Sequence, residues 1–358
     1  MLKNIKTVLA LALAVVLCLS FAGCHKANEI AVTAGNEQYT SGFYACALVN
    51  ADLDARQKVE DALGSTDANT DYYSQKVEGK DYITYVKETA INTLKEMSFY
   101  KAKCEEEKIN MDSAIQNAES SADFYWNSYG FSQLFEPNGV SAATFKKYSV
   151  AQCYKQAYFE HLYGEKGTKA VSSDTINKFI EENNVYANFL SADITDKKED
   201  EIKKIKDKFE AYKKRINKGE NFGKIYDEYN NSDYYDDKAD TSKTGFNSDF
   251  ASILGTDKSN YQSDYYEYAK SAKIGVAEVV TTKKFEDGKS AILLILKGDI
   301  FEKNNTYLDA LKTDALQEMK GDEFAKDMAK GIDGIAVKEN TYATGQFKVK
   351  KIVYPEGY

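Results

Sequence analysis

The side chains of this sequence that could do acid–base or metal chemistry are few and scattered. Histidine occurs twice, at His25 and His161, too isolated to build a zinc set or a Ser-His-Asp relay. Cysteine occurs at Cys18, Cys24, Cys46, Cys104 and Cys153, without a Cys-x-x-Cys spacing. Cys46, Cys104 and Cys153 sit among apolar and aromatic neighbours and read as small core residues; three thiols allow one disulfide but no disulfide framework. Asp233, Asp236, Asp237 and Asp240 crowd together, yet the stretch lacks the Gly and distal Glu of a calcium loop, so no metal is expected there. With no glycine-rich phosphate loop, no nucleotide or other cofactor is expected either.

What the chain has in quantity is aromatic surface. It carries 27 Tyr and 18 Phe among 358 residues, a chemistry of contact rather than of bond-making. The composition, 43% hydrophobic and 29% charged, is that of a folded protein and excludes a multi-span membrane protein. Only 2 Pro and 21 Gly exclude fibrous and Pro-rich architectures. The net charge of −9, with no tight basic cluster, argues against nucleic acid as a partner.

The start of the chain reads as an address. Lys3 and Lys6 precede an apolar run from Val8 to Leu19, the length of a signal-peptide core and too short for a comfortable membrane span. Phe21-Ala22-Gly23-Cys24 resembles a bacterial lipobox, with Phe where Leu is usual. That resemblance implies removal of residues 1–23 and diacylation of Cys24. Two acyl chains anchor stably, which implies an extracytoplasmic protein tethered to the outer face of the bacterial plasma membrane.

The elements follow from periodicity. Ile30 to Tyr39, turning at Gly35-Asn36, predicts a hairpin, and Thr40 or Ser41 caps a helix through Leu48. Residues 51–80 show little apolar periodicity. Ile83, Val86, Ala90, Leu94 and Met97 predict an amphipathic helix reaching about Cys104. Further helices are expected after Ser113 and from Ser141 to Tyr163. Gly164 to Ser173 marks a boundary, beyond which Val185 to Ile194 predicts a strand and Ile202 to Ile216 a helix ended by Gly219. A short helix from Phe222 to Tyr229 precedes a polar tract, read as solvated loop, that runs to about Ser263. Residues 275–280 and 290–296 predict two strands around Asp287-Gly288. Two helical pieces, around Leu308 to Met319 and Phe324 to Met328, and an edge strand from Phe347 to Val353 close the chain.

These residues resemble the extracytoplasmic foldases of the PrsA/SurA type, which join a helical chaperone region to a parvulin peptidyl-prolyl isomerase domain. The opening Ala31-Val32-Thr33-Ala34-Gly35 followed by Tyr39-Thr40-Ser41-Gly42-Phe43 resembles that group's hairpin-then-helix start. Lys214 to Tyr229 is similar to the parvulin helix, Gly, acidic, Phe, second-helix segment, and Lys273 to Val279 to the turn entering its penultimate strand. The resemblance implies an α+β architecture: a lipoprotein signal peptide at 1–23, a helical chaperone domain at 24–168, a degenerate parvulin-like domain at 169–300, and a C-terminal helical segment at 301–358 packing on the N-terminal domain. Where parvulins carry histidines in the first and last strands, this sequence places Phe189 and Ala291, and Lys243-Thr244-Gly245-Phe246 is the nearest remnant of the family's glycine-rich segment. Phe189, Phe246, Tyr266, Tyr268 and Ala291 are therefore the candidate substrate-binding residues, and no catalytic residue is assigned.

Prolyl isomerisation crosses a barrier of roughly 18–20 kcal/mol without breaking a covalent bond, so a dry pocket retains some capacity without histidines. Loss of both hydrogen-bonding groups implies weak or absent isomerase activity. The function implied is that of a foldase or chaperone for unfolded secreted polypeptides, gripping them in an aromatic cradle for which Phe43, Tyr44, Trp126 and Phe131 are candidates, with Phe124, Tyr125, Tyr129 and Phe135 nearby. The alternative is a glycan- or ligand-binding surface lipoprotein in which Tyr226, Tyr229, Tyr234, Tyr235, Tyr261, Tyr265, Tyr266 and Tyr268 stack on sugar rings.

Overall fold

A computed structural model describes residues 29–64, 70–236, 245–255, 263–282, 288–303 and 305–355. Cys24, His25, Asp237, Asp240, Lys243, Thr244, Tyr261 and Asp287 lie outside these. The architecture is α+β, and the chain divides into two compact units: the described residues up to Ala170 together with those from Asp322 onward, and Val171–Gly321.

In the first unit, β1 (Ile30–Ala34) and β2 (Glu37–Thr40) pair antiparallel. Gly35, at φ +56°, supplies the positive φ that a two-residue hairpin demands. Thr40 caps α1 (Ser41–Leu63), its Oγ1 accepting from the Phe43 N–H at 3.4 Å. The helix runs fifteen residues beyond the expected Leu48. Ala51, Ala55 and Val59 keep the four-residue spacing and are buried, but small side chains carry too little hydropathy to show as a stripe.

The short ladder β3 (Lys76–Val77) with β4 (Lys80–Asp81) leads into α2 (Tyr82–Glu106), which buries Val86, Ala90, Leu94 and Met97. Next come α3 (Asp112–Ser128), α4 (Phe131–Phe135) and α5 (Ala142–Tyr163), the last capped by Ser141.

In the second unit, α6 (Ser173–Asn183) precedes β5 (Asn184–Asp193), α7 (Glu199–Ile216) and α8 (Phe222–Asn230). After these come β6 (Ser252–Gly255), α9 (Ser263–Ser271), β7 (Ala277–Thr281) and β8 (Ala291–Lys297). The strands form one antiparallel sheet in the order β6-β5-β8-β7. The sheet is covered on both faces, so central β8 is an unbroken apolar run. Tyr186, Leu190, Ile292 and Leu294 pack with Phe209 of α7 and Phe222 of α8, while Val185, Ala187, Leu293 and Ile295 pack with Tyr266 and Ala269 of α9. Strand β6 lies in the tract expected to be loop; four residues are too few for an alternation to stand out.

The two expected C-terminal helical pieces are one helix, α10 (Leu308–Asp333). Gly321 interrupts the apolar pattern, but an interior glycine costs only about 1 kcal/mol and does not break a packed helix. In the first unit, Phe324 of α10 stacks on Tyr100 at 5.5 Å and meets the Phe159 ring edge-on at 5.2 Å. The expected edge strand at 347–353 is not one. β9 (Val337–Glu339) pairs with β1 instead, giving the sheet order β2-β1-β9. After α11 (Thr341–Gly345), Val349–Lys351 forms a 3-10 turn. The apparent alternation there reflects Phe347, Val349 and Ile352 packing on the first unit's core.

The tail is pinned to α1. Asp52 is fully buried; Arg56 donates to its Oδ2 at 3.0 Å, and the Tyr354 hydroxyl donates to the same oxygen. The Arg56 guanidinium lies between the Tyr72 and Tyr354 rings, 4.4 and 4.3 Å from their centroids.

Candidate functional site

Two places carry the residues singled out above, one in each unit. In the first, helical phase decides which aromatics reach solvent. Ala122 and Trp126, four apart on α3, face the core. Phe124 therefore points away, at 54% exposure; Tyr125 at the flank of the buried face is 43% exposed, and Tyr129 at the helix C-cap is 63% exposed. Gly130, at φ +73°, makes the left-handed turn that brings α4 back beside them.

The result is a ring cluster on the surface. Phe124 and Tyr129 centroids are 5.3 Å apart, Tyr125 and Tyr129 5.5 Å, and Tyr125 stacks on Phe131 at 5.4 Å. Phe131, half-buried, ties the cluster to the core through Phe135 at 5.9 Å and Phe145 at 5.7 Å. Three adjacent exposed rings backed by a packed layer form a rigid apolar surface that desolvates at small entropic cost.

Of the four cradle candidates, only Phe131 reaches this surface. Phe43, Tyr44 and Trp126 are core residues. Phe43 packs between Tyr39 at 4.9 Å and Tyr148 at 5.3 Å, and Trp126 packs on Phe145 at 5.4 Å. Their place in the cradle is corrected, because none of the three rings lies on this exposed surface. The exposed rings Phe124, Tyr125 and Tyr129 replace them; on α3 the helical phase of Ala122 and Trp126 is the sequence signal that sets Phe124 on the outer face.

In the second unit, Phe189, Tyr266, Tyr268 and Ala291 share one face of the sheet, under α9. Phe189 and Tyr268 are half-buried, whereas Tyr266 and Ala291 are buried. The register places Ile295 opposite Phe189 and Asp193 opposite Ala291. Phe189 and Ala291 are thus four register positions apart, roughly 13 Å along the strands, and cannot act on one amide as neighbours. Phe246 belongs to the other face: its ring lies 5.0 Å from Tyr186 in the opposite core, and a Cβ on Gly298 would stand 2.5 Å from it. That assignment is corrected.

The polar groups on the α9 face are committed to structure. Ser191 Oγ and the Tyr265 hydroxyl are hydrogen-bonded at 3.1 Å, and the Tyr266 hydroxyl donates to the Glu182 carbonyl and accepts from Lys270. Burial and the neighbouring Lys270 charge lower the pKa of Lys297 below the ordinary lysine value. Thr195 donates its hydroxyl and N–H to exposed Asp193, holding that carboxyl below its usual pKa. Among the described residues no cluster of His, Cys, Asp or Glu is placed to hold a metal.

Helix α7 and the turn after it show how the Lys214 to Tyr229 segment is built. Gly219, at φ +95°, reverses the chain so that Glu220 folds back onto Arg215, accepting from Nε at 2.8 Å and Nη2 at 2.7 Å. Asn221 then caps α8 and Phe222 is fully buried. Sequence reading missed the buried amides that hold the neighbouring loop. Asn188 Nδ2 donates to the Asn247 carbonyl at 2.7 Å, the Asn247 N–H returns to Asn188 Oδ1 at 2.9 Å, and Asn247 Nδ2 reaches Asn221 Oδ1 at 3.1 Å. Among the described residues, most tyrosines of the glycan reading pack inside this unit, and Tyr234 is exposed at 80%.

The chain is similar to PrsA-type foldases. Foldase protein PrsA from Lactococcus lactis is 16% identical and matches over 89% of this chain and 99% of its own, with a TM-score of 0.40. PrsA from Streptococcus pneumoniae is 13% identical over 77% of this chain and 98% of its own, with a TM-score of 0.38. A structure of SurA-like chaperones from Campylobacter jejuni is 13% identical over 87% of this chain and 99% of its own, at 0.25. No family model matches the chain, and no curated protein matches it.

Proposed function

We propose that the protein is an extracytoplasmic chaperone of the foldase type that holds unfolded secreted polypeptides, tethered to the membrane through Cys24. The exposed ring cluster of Phe124, Tyr125 and Tyr129 carries this reading. It is apolar, rigid and shallow, and so suited to gripping many sequences without selecting one. Apolar segments of an emerging chain bind there transiently, and release needs no nucleotide. The first unit, up to Ala170 and from Asp322 onward, acts as the holding domain. Residues 169–300 act as a parvulin-like domain whose isomerase activity is weak or absent, since Phe189 and Ala291 supply no hydrogen-bonding group and do not face each other. The Lys214 to Tyr229 motif supports the parvulin likeness of that domain. Among the described residues no helix is long and apolar enough to cross a membrane; the anchor is assigned to the two acyl chains on Cys24.

The test is a pair of assays on the whole mature chain: suppression of aggregation of a chemically unfolded client, and acceleration of cis/trans exchange in a short X-Pro peptide. Suppression with little or no acceleration is the expected result. Failure to suppress aggregation at equimolar concentration overturns the reading.

A further inference from the structure

A second surface of the first unit has a different chemistry. Among the described residues, strand β2 is an edge of its sheet. Ala34 and Glu37 close the two-residue hairpin, so the antiparallel alternation directs the N–H and C=O of Gln38 away from β1. A cleft of about 360 Å³ runs along this edge, with all four β2 residues on one side and α5 on the other. The α5 wall is a single helical stripe, Thr144, Lys147, Ala151 and Tyr154, and buried Phe43 and Met97 form the floor. Four extended residues span about 13 Å, and the ten-residue rise from Thr144 to Tyr154 spans about 15 Å. The wall and the strand therefore match in length.

Charge selects the occupant. Lys101 donates to both Glu37 oxygens at 2.8 and 2.9 Å, which neutralises that end of the cleft. On α5, Lys146 is paired with Asp123 and Lys155 with Glu96, but Lys147, exposed at the cleft wall, forms no ion pair among the described residues. A protein of net charge −9 thus keeps an uncompensated cation beside an open strand edge.

We infer that this cleft binds an extended, acidic polypeptide segment as an added strand on β2, with a carboxylate of the segment on Lys147. Main-chain bonds to Gln38 supply affinity, and Lys147 supplies selectivity. The cleft shares no residue with the ring cluster, and the inference does not rest on the chaperone reading.

The test uses the full chain and three fluorescently labelled octapeptides of alternating Thr and Val: one with a central Glu, one with Lys there, and the Glu peptide N-methylated at alternate residues. Saturable binding of the Glu peptide is expected, weakened about fivefold or more by Lys147→Glu, with the Lys peptide gaining on that variant and the N-methylated peptide failing to bind. Gln38→Pro, which removes an outward donor at a tolerated edge position, weakens the Glu peptide while client holding persists. If Gln38→Pro unfolds by circular dichroism, Lys147→Glu and the N-methylated peptide decide. No binding of the Glu peptide, or equal binding by the N-methylated peptide or by Lys147→Glu, overturns the inference; loss of client holding in the ring-cluster variants leaves it standing.

Discussion

Replacing Phe124 and Tyr129 together by Ala separates grip from stability. Both rings are more than half exposed, at 54% and 63%. A ring buries about 200 Å² when covered, so a client removes roughly 100–130 Å² of each from water, an upper bound of about 3 kcal/mol per ring at ~25 cal/mol/Å². Association returns only part of that area energy; about 1.4 kcal/mol per ring corresponds to tenfold in affinity. The double variant is expected to bind an unfolded client roughly 100-fold more weakly. Its stability changes by no more than about 1 kcal/mol, because only edge and stacking contacts within the cluster are lost. Trp126→Ala, on the same helix but 8% exposed, behaves in the opposite way and costs about 3–5 kcal/mol of stability. Client titration by fluorescence anisotropy and urea unfolding read the two quantities. Unchanged client affinity in a folded double variant refutes the reasoning.

Other outcomes follow from the same contacts. Asp52→Ala leaves Arg56 and the Tyr354 hydroxyl without their shared acceptor, and urea unfolding is expected to show a loss of about 3 kcal/mol. Gly298→Ala sets a Cβ against the Phe246 ring and is expected to cost about 1–3 kcal/mol, seen as a lower Tm. The Arg215 guanidinium hydrogen-bonds Glu220 and holds its carboxyl below the ordinary 4.5. That contribution is complete above the unfolded pKa and is lost as pH falls through the lower, folded value. Glu220→Gln should therefore flatten the acid limb of stability against pH, by a modest amount because the pair is partly exposed. Cys24→Ala should abolish incorporation of labelled palmitate and release the protein from membranes.

The α+β class was legible because the strongest signals were long and periodic: Val86, Ala90, Leu94 and Met97 on α2, and the unbroken apolar run of β8. The rest of α1 was hidden because Ala51 and Ala55 fill a close helix contact without raising hydropathy. β6 and β9 are short strands that exist through their partners β5 and β1, and a pairing distant in sequence leaves no local mark. At the candidate site, aromatic composition pointed to the segment from Phe124 to Phe135 but not to its facing. Exposure there depends on which side of α3 Trp126 occupies, a question of helical phase rather than of residue type. The amides of Asn188, Asn221 and Asn247 read as ordinary polar residues until the fold brings them together.

The most direct test of the client-holding surface is site-specific photo-crosslinking. A benzophenone amino acid is placed at position 124 or 129 and, as a control, at Tyr234, which is exposed at 80% outside the cluster. Positions 124 and 129 are expected to capture a permanently unfolded client and not its folded form, while position 234 captures neither. Equal capture at all three positions, or none at 124 and 129 while client is bound, would contradict that expectation.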